Sequence, residues 1–193
     1  MTYCMRISAG LLLWGALASA AFAGPVADQA AAIEGKLAEG DGAAAVSLAQ
    51  DLLAGVWAQA LEMSFTQALL VETEATGYGV YNPRATNVFK QGEPVLIYCE
   101  PVGFDYGNPG EGLWSVNFFI DLQVLDSGGN QLANLPEVTQ YNTTSRHLNR
   151  EIPANITYTL QGIKPGRYTL VTTLRDKNSQ KSGSFQTAIE IAE

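Results

Sequence analysis

Val116-Asn117-Phe118-Phe119-Ile120-Asp121-Leu122-Gln123-Val124 alternates apolar and polar residues with a period of two. Val116, Phe118, Ile120, Leu122 and Val124 share one face. Asn117, Asp121 and Gln123 share the other, and Phe119 is the exception. Alternation of this kind marks a strand with one face buried and one wet. The same signature spreads outward in both directions. Residues 65–193 are rich in Val, Ile, Thr, Tyr and Phe. Strands are expected over Leu69 to Thr76 and Pro94 to Phe104. Further strands are expected around Ile156, Tyr158 and Leu160, around Tyr168, Leu170, Thr172 and Leu174, and around Phe185, Ile189 and Ile191. Asp126-Ser127-Gly128-Gly129-Asn130 reads as a turn by composition, and Asp176 to Ser182 as the last hairpin loop. About seven short strands at this spacing predict a β-sandwich.

The residues before position 64 follow a different period. Val26, Ala30, Ile33 and Leu37 make one stripe of a helix. Gly40-Asp41-Gly42 interrupts it. A second helix carries Ala45, Ala49, Leu52 and Val56 on one face, and Val46, Leu53, Trp57 and Ala60 on another. This predicts a helical hairpin with more apolar surface than one partner helix covers, so Val46, Leu53 and Trp57 are expected to pack on the β part or on another protein. Ahead of it stand Arg6, the apolar run Leu11-Leu12-Leu13-Trp14 to Ala20, and Ala21-Phe22-Ala23. That order matches a secretory signal cut before Gly24. The expected organisation is a signal peptide over 1–23, a helical hairpin over 24–63 and a β-sandwich domain over 64–193. The expected destination is the periplasm or the extracellular space, with no transmembrane segment in the mature chain.

Charge and cysteine use narrow the function classes. Residues 24–75 hold one Lys and eight Asp or Glu, and residues 76–193 hold nine Lys or Arg and eleven Asp or Glu. A chain this acidic lacks the cationic surface that neutralises phosphate, which argues against nucleic acid as a partner. Cys4 precedes the apolar run and leaves with the signal, so Cys99 stands alone afterwards. One cysteine allows no internal disulfide, and its place in Val95-Leu96-Ile97-Tyr98-Cys99 predicts burial.

A search for catalytic patterns finds none that holds together. His147 is the single histidine, set in the polar run Ser145-Arg146-His147-Leu148-Asn149-Arg150, and no Gly-x-Ser-x-Gly elbow accompanies it. One His and one Cys do not make a zinc or copper set. Asp126 and Asn130 lack the rest of a calcium loop. Gly77-Tyr78-Gly79 is not followed by Gly-Lys-Ser/Thr. Glu72 and Glu74 would share a strand face without any feature of a glycosidase pair. The chain therefore reads as a non-enzyme without cofactor or metal. Two loops stand out instead. Residues 77–84 carry Tyr78, Tyr81 and Arg84, and residues 104–114 carry Phe104, Tyr106 and Trp114. Aromatic side chains in loops are candidate binding anchors. With Trp57 of the second helix, these six form the candidate binding set. The bland alternative is that the rings fold back and cap the ends of the sandwich.

Gly162-Ile163-Lys164-Pro165-Gly166-Arg167-Tyr168 puts a Pro-Gly turn ahead of a Tyr at a strand start. This resembles the tyrosine corner of immunoglobulin-like and fibronectin-like Greek-key sandwiches. The segments Tyr81-Asn82-Pro83-Arg84, Asn87-Val88-Phe89-Lys90, Gly92-Glu93-Pro94 and Leu174-Arg175-Asp176-Lys177 resemble those of a group of exported bacterial proteins with an immunoglobulin-like β-sandwich. The resemblance implies the fold and carries no activity across. The expected function is that of a protein-binding module of the cell envelope, partnered by another envelope protein. The alternative is a β-sandwich that binds carbohydrate or envelope polysaccharide through its aromatic rings.

Overall fold

A computed structural model describes residues 24–193, so the signal-peptide expectation over 1–23 lies outside the described residues. The chain is mainly β with two helices at its N-terminal side. It divides into two compact units, one ending at Leu52 and the other running from Leu53 to Glu193. Among the described residues no helix is long and apolar enough to cross a membrane.

Helix α1 spans Pro25–Ala38, with Pro25 at the first position, where a missing N–H costs nothing. Gly40, at φ +78°, takes the left-handed conformation that ends it. Asp41 then caps helix α2, Gly42–Gln59, by accepting the Ala44 N–H at 3.0 Å. The Gly40-Asp41-Gly42 break is thus a C-cap followed by an N-cap. No residue of α1 is buried, and Ala45 is the buried residue of α2. Val46 and Leu53 are exposed. Of that stripe, Trp57 and Ala60 are partly covered: Trp57 packs on Phe104, and Ala60 lies beside Gly103.

The β-rich unit is built from two sheets. One orders β1 (Ser64–Leu70), β3 (Val95–Val102) and β7 (Ala154–Tyr158) as β1-β3-β7, all antiparallel. The other runs β2 (Val88–Phe89), β9 (Ser182–Ile191), β8 (Gly166–Asp176), β5 (Leu113–Asp126) and β4 (Gly107–Gly110), with β6 (Gln131–Ser145) on the opposite edge of β5. Strand β2 pairs parallel to β9. The inward residues of β5 are all buried as the alternation requires, and they meet Val95, Ile97 and Cys99 of β3 and Ile156 of β7 in one core. Tyr158 and Thr172 satisfy each other across that core, hydroxyl to hydroxyl, at 3.1 Å. Burial pushes the Cys99 thiol up to about 12.

Phe119 breaks the alternation of β5 because it faces outward under two cations. The Lys177 ammonium lies 4.3 Å and the Arg175 guanidinium 5.2 Å from its ring centre. Strand β1 begins and ends earlier than Leu69 to Thr76. The chain leaves the sheet after Leu70 and folds a small hairpin, closed by a Gly77–Val80 bridge. Strand β6 was not foreseen. Seven of its fifteen residues are Gln, Asn or Thr, which blurs the alternation that marks a strand.

Candidate functional site

The aromatic residues singled out in the sequence fall into two packed groups. The first centres on Phe104, which is fully buried. Trp57 meets its ring edge to face at 5.0 Å, Tyr106 at 5.4 Å and Phe118 at 5.7 Å, and Trp114 reaches Tyr106 at 6.5 Å. The Trp57 indole N–H donates to the Phe104 carbonyl at 2.7 Å, and the Tyr106 hydroxyl donates to the Asn149 carbonyl at 3.0 Å. Burial raises the Tyr106 hydroxyl above its ordinary range, and Arg150 nearby partly offsets this. Glycine makes the close passage possible. A Cβ on Gly103, whose φ is +84°, would stand 2.8 Å from the Glu62 carbonyl oxygen. A Cβ on Gly183 would overlap the Met63 carbonyl oxygen at 2.5 Å. The chain from α2 into β1 is therefore pressed against this end of the unit.

The second group belongs to the 71–84 segment, which covers the outer face of β1-β3-β7. Asn155 clamps Ala75 by donating to its carbonyl and accepting its N–H, both at 2.9 Å. Tyr81 lies on the buried ring of Tyr98 with centroids 4.5 Å apart. The Tyr98 hydroxyl accepts the Gly79 N–H at 2.8 Å and donates to the buried Glu100 carboxylate at 2.7 Å, which also receives the Thr66 hydroxyl at 2.7 Å. Burial and the neighbouring Glu100 push the Tyr98 hydroxyl far above its usual range. Arg84 donates to the Thr86 and Val88 carbonyls and pairs with Glu93 at 2.8 Å, with its guanidinium 4.2 Å above Phe89. The Lys90 N–H and Arg84 together hold the Glu93 carboxyl below its ordinary range. Tyr78 is the ring of this group that remains exposed.

Six of the seven candidates are thus engaged in packing, and Phe104 has no surface to offer. Within the β-rich unit, one exposed apolar surface lies on the side bounded by β6 and the segment after β7. Strand β6 pairs with β5 along one edge, and no described strand pairs with the other. Leu132 and Leu135 stand more than 40 % exposed on its first half. The register explains this. Leu135 lies opposite the buried Leu122, so it shares the face of its sheet that carries the core residues. Strand β7 is only five residues long, and no strand follows it in its sheet to cover that point. An open cleft of about 480 Å³ results, lined by Leu132, Leu135, Leu160, Ile163, Lys164 and Tyr168 among others.

Midway along β6 the ladder breaks. Ile120 faces Thr139 and Leu122 faces Leu135, so Pro136, Glu137 and Val138 together oppose Asp121. Glu137 sits at φ 53°. Asp121 accepts its N–H at 2.8 Å, and Arg175 bridges both carboxylates, at 2.8 and 3.1 Å to Asp121 and 3.1 Å to Glu137. The Arg175 bonds hold the Asp121 carboxyl below its ordinary range. This cleft and edge escaped sequence reasoning. Leu132, Leu135 and Val138, isolated in a polar run, were the signal that could have found them.

No family model matches the chain, and no curated protein matches it in sequence.

Proposed function

We propose that this chain is a non-enzymatic, exported protein-binding module of the cell envelope, built on an immunoglobulin-like β-sandwich. The strand orders β1-β3-β7 and β9-β8-β5-β6 support that architecture, since they correspond to the A-B-E and G-F-C-C′ arrangement of such domains. So does Tyr168 near the start of β8, whose hydroxyl donates to the Lys164 carbonyl four residues upstream at 2.8 Å.

One observation carries the functional reading: a fifteen-residue strand whose second edge no described strand pairs, flanked by an apolar cleft. Unpaired strand edges accept further strands, and apolar pockets beside them take alternate side chains. A polysaccharide platform needs rings lying flat and open together. Trp57, Phe104, Tyr106 and Trp114 meet edge to face around a buried centre, so the geometry favours protein over sugar. The test is a pull-down from envelope extract with the mature chain as bait, beside a Leu135→Glu variant. A partner held by the wild type and lost by the variant is expected. A partner retained by Leu135→Glu, or captured only by polysaccharide resin, removes the reading. Export is tested in the same preparation by mass spectrometry, which should find Gly24 at the N-terminus.

A further inference from the structure

We propose that the second half of β6 pairs antiparallel with the same segment of a second copy of this chain. The inference rests on the reading of β6 as a protein-binding edge and names the occupant of that edge.

Residues Val138-Thr139-Gln140-Tyr141-Asn142-Thr143-Thr144-Ser145 contain no charge and no proline, and half of them are β-branched. Such a run has high strand propensity. It lacks the usual guards of an edge strand, which are Lys, Pro and bulges. Those guards sit in the first half instead, as Pro136 and the bulge at Glu137. The chain carries a formal charge of −8, so two copies repel over most of their surfaces. Here they would meet along a run with no charged residue of its own, where the Lys177 ammonium donates to the Gln140 and Asn142 side chains at 2.6 and 3.0 Å.

The charges that bracket the run are complementary to themselves. Glu137 precedes it and Arg146 follows it. In an antiparallel pairing centred on Tyr141 or Asn142, each Glu137 comes within one residue of the second copy's Arg146, at both ends. Like faces must coincide across the two-fold axis, so residues of the same parity lie opposite one another. Centring on Tyr141 sets Thr139 against Thr143 and Gln140 against Asn142, pairs that bond through hydroxyls and amides. The contact is isologous, closes after two copies, and joins the two larger sheets into one.

Sedimentation of the mature chain between about 1 and 100 μM should show a reversible monomer–dimer equilibrium that persists in about 1 M salt, because the contact is mainly backbone hydrogen bonding. Asn142 is exposed on the central part of the edge. Asn142→Lys and Asn142→Glu should each weaken the dimer by about tenfold or more, and an equimolar mixture should form a heterodimer. Circular dichroism of each variant confirms that the fold is kept. A wild type monomeric throughout, or a dimer that both variants leave intact, overturns the proposal. A monomer whose envelope partner is still lost on Leu135→Glu would overturn the second copy alone and leave the binding edge standing.

Discussion

Replacing Trp57 by alanine should destabilise the β-rich unit by about 3 kcal/mol. The indole makes three separable contributions. Its N–H donates to the Phe104 carbonyl at 2.7 Å, a bond worth about 1 kcal/mol. Its edge-to-face contact with Phe104 at 5.0 Å adds about 0.5–1.5 kcal/mol. The apolar area it covers supplies the rest. A fully buried aromatic costs about 3–5 kcal/mol on truncation, and Trp57 is half-buried, which sets the value at the lower end. For a chain of this size the midpoint should fall by about 6–12 °C. Trp57→Phe narrows the contributions: it keeps a ring against Phe104, loses the donor and part of the covered area, and should cost about 1–2 kcal/mol. Urea unfolding followed by far-ultraviolet circular dichroism reads both variants without relying on the indole that is removed. Equal m-values would show that the denatured state is unchanged. A Trp57→Ala variant within about 0.5 kcal/mol of wild type would refute the packing argument. It would return Trp57 to the role of a partner anchor.

Tyr168→Phe should cost about 0.5–1.5 kcal/mol, read by the same unfolding assay, because the hydroxyl bond to Lys164 spans the turn into β8; no loss would weaken the immunoglobulin-like assignment. Cys99 should resist a thiol reagent in native buffer and react quickly in denaturant, since its thiol is buried and its ionisation is pushed up to about 12. Rapid native labelling would contradict its place in the core. Asp121 has its folded ionisation below the unfolded value, so its contribution is present above about pH 4 and lost as pH falls through the folded value. The thermal midpoints of wild type and Asp121→Asn should therefore converge on acidification; a gap independent of pH would assign the effect to packing rather than to the Arg175 pair. Gly183→Ala should lower stability by about 1–3 kcal/mol, because the added Cβ meets the Met63 backbone oxygen rather than a flexible side chain. A neutral result in thermal unfolding would mean that the chain entering β1 can shift away.

Much of the β architecture could be read directly from residues 116–124, because a period of two encodes one-sided burial locally. Every residue assigned inward there is buried, and the one irregular position, Phe119, is explained by the two cations that cover it. The Asp126–Asn130 turn was equally legible, since Asp126 closes it through its own carboxylate on the N–H groups of Gly128 and Asn130. The break at Gly40-Asp41-Gly42 and the burial of Cys99 belong to the same class: each depends on neighbours close in the chain or on plain hydrophobicity. Tertiary structure decided the rest. Aromatic loops look alike in sequence whether their rings point to solvent or to the core. The distinction came from Phe104 closing over Phe118, and from Tyr98 lying under Tyr81. Strand β6 alternates half-buried and exposed positions over Thr139 to Ser145, but polar residues fill both sets, so its hydropathy does not show the burial that its place beside β5 imposes. The cleft beside it arises from the mismatch between a five-residue β7 and a fifteen-residue β6. Lengths of strands distant in sequence, brought to facing sheets, leave no trace in local periodicity.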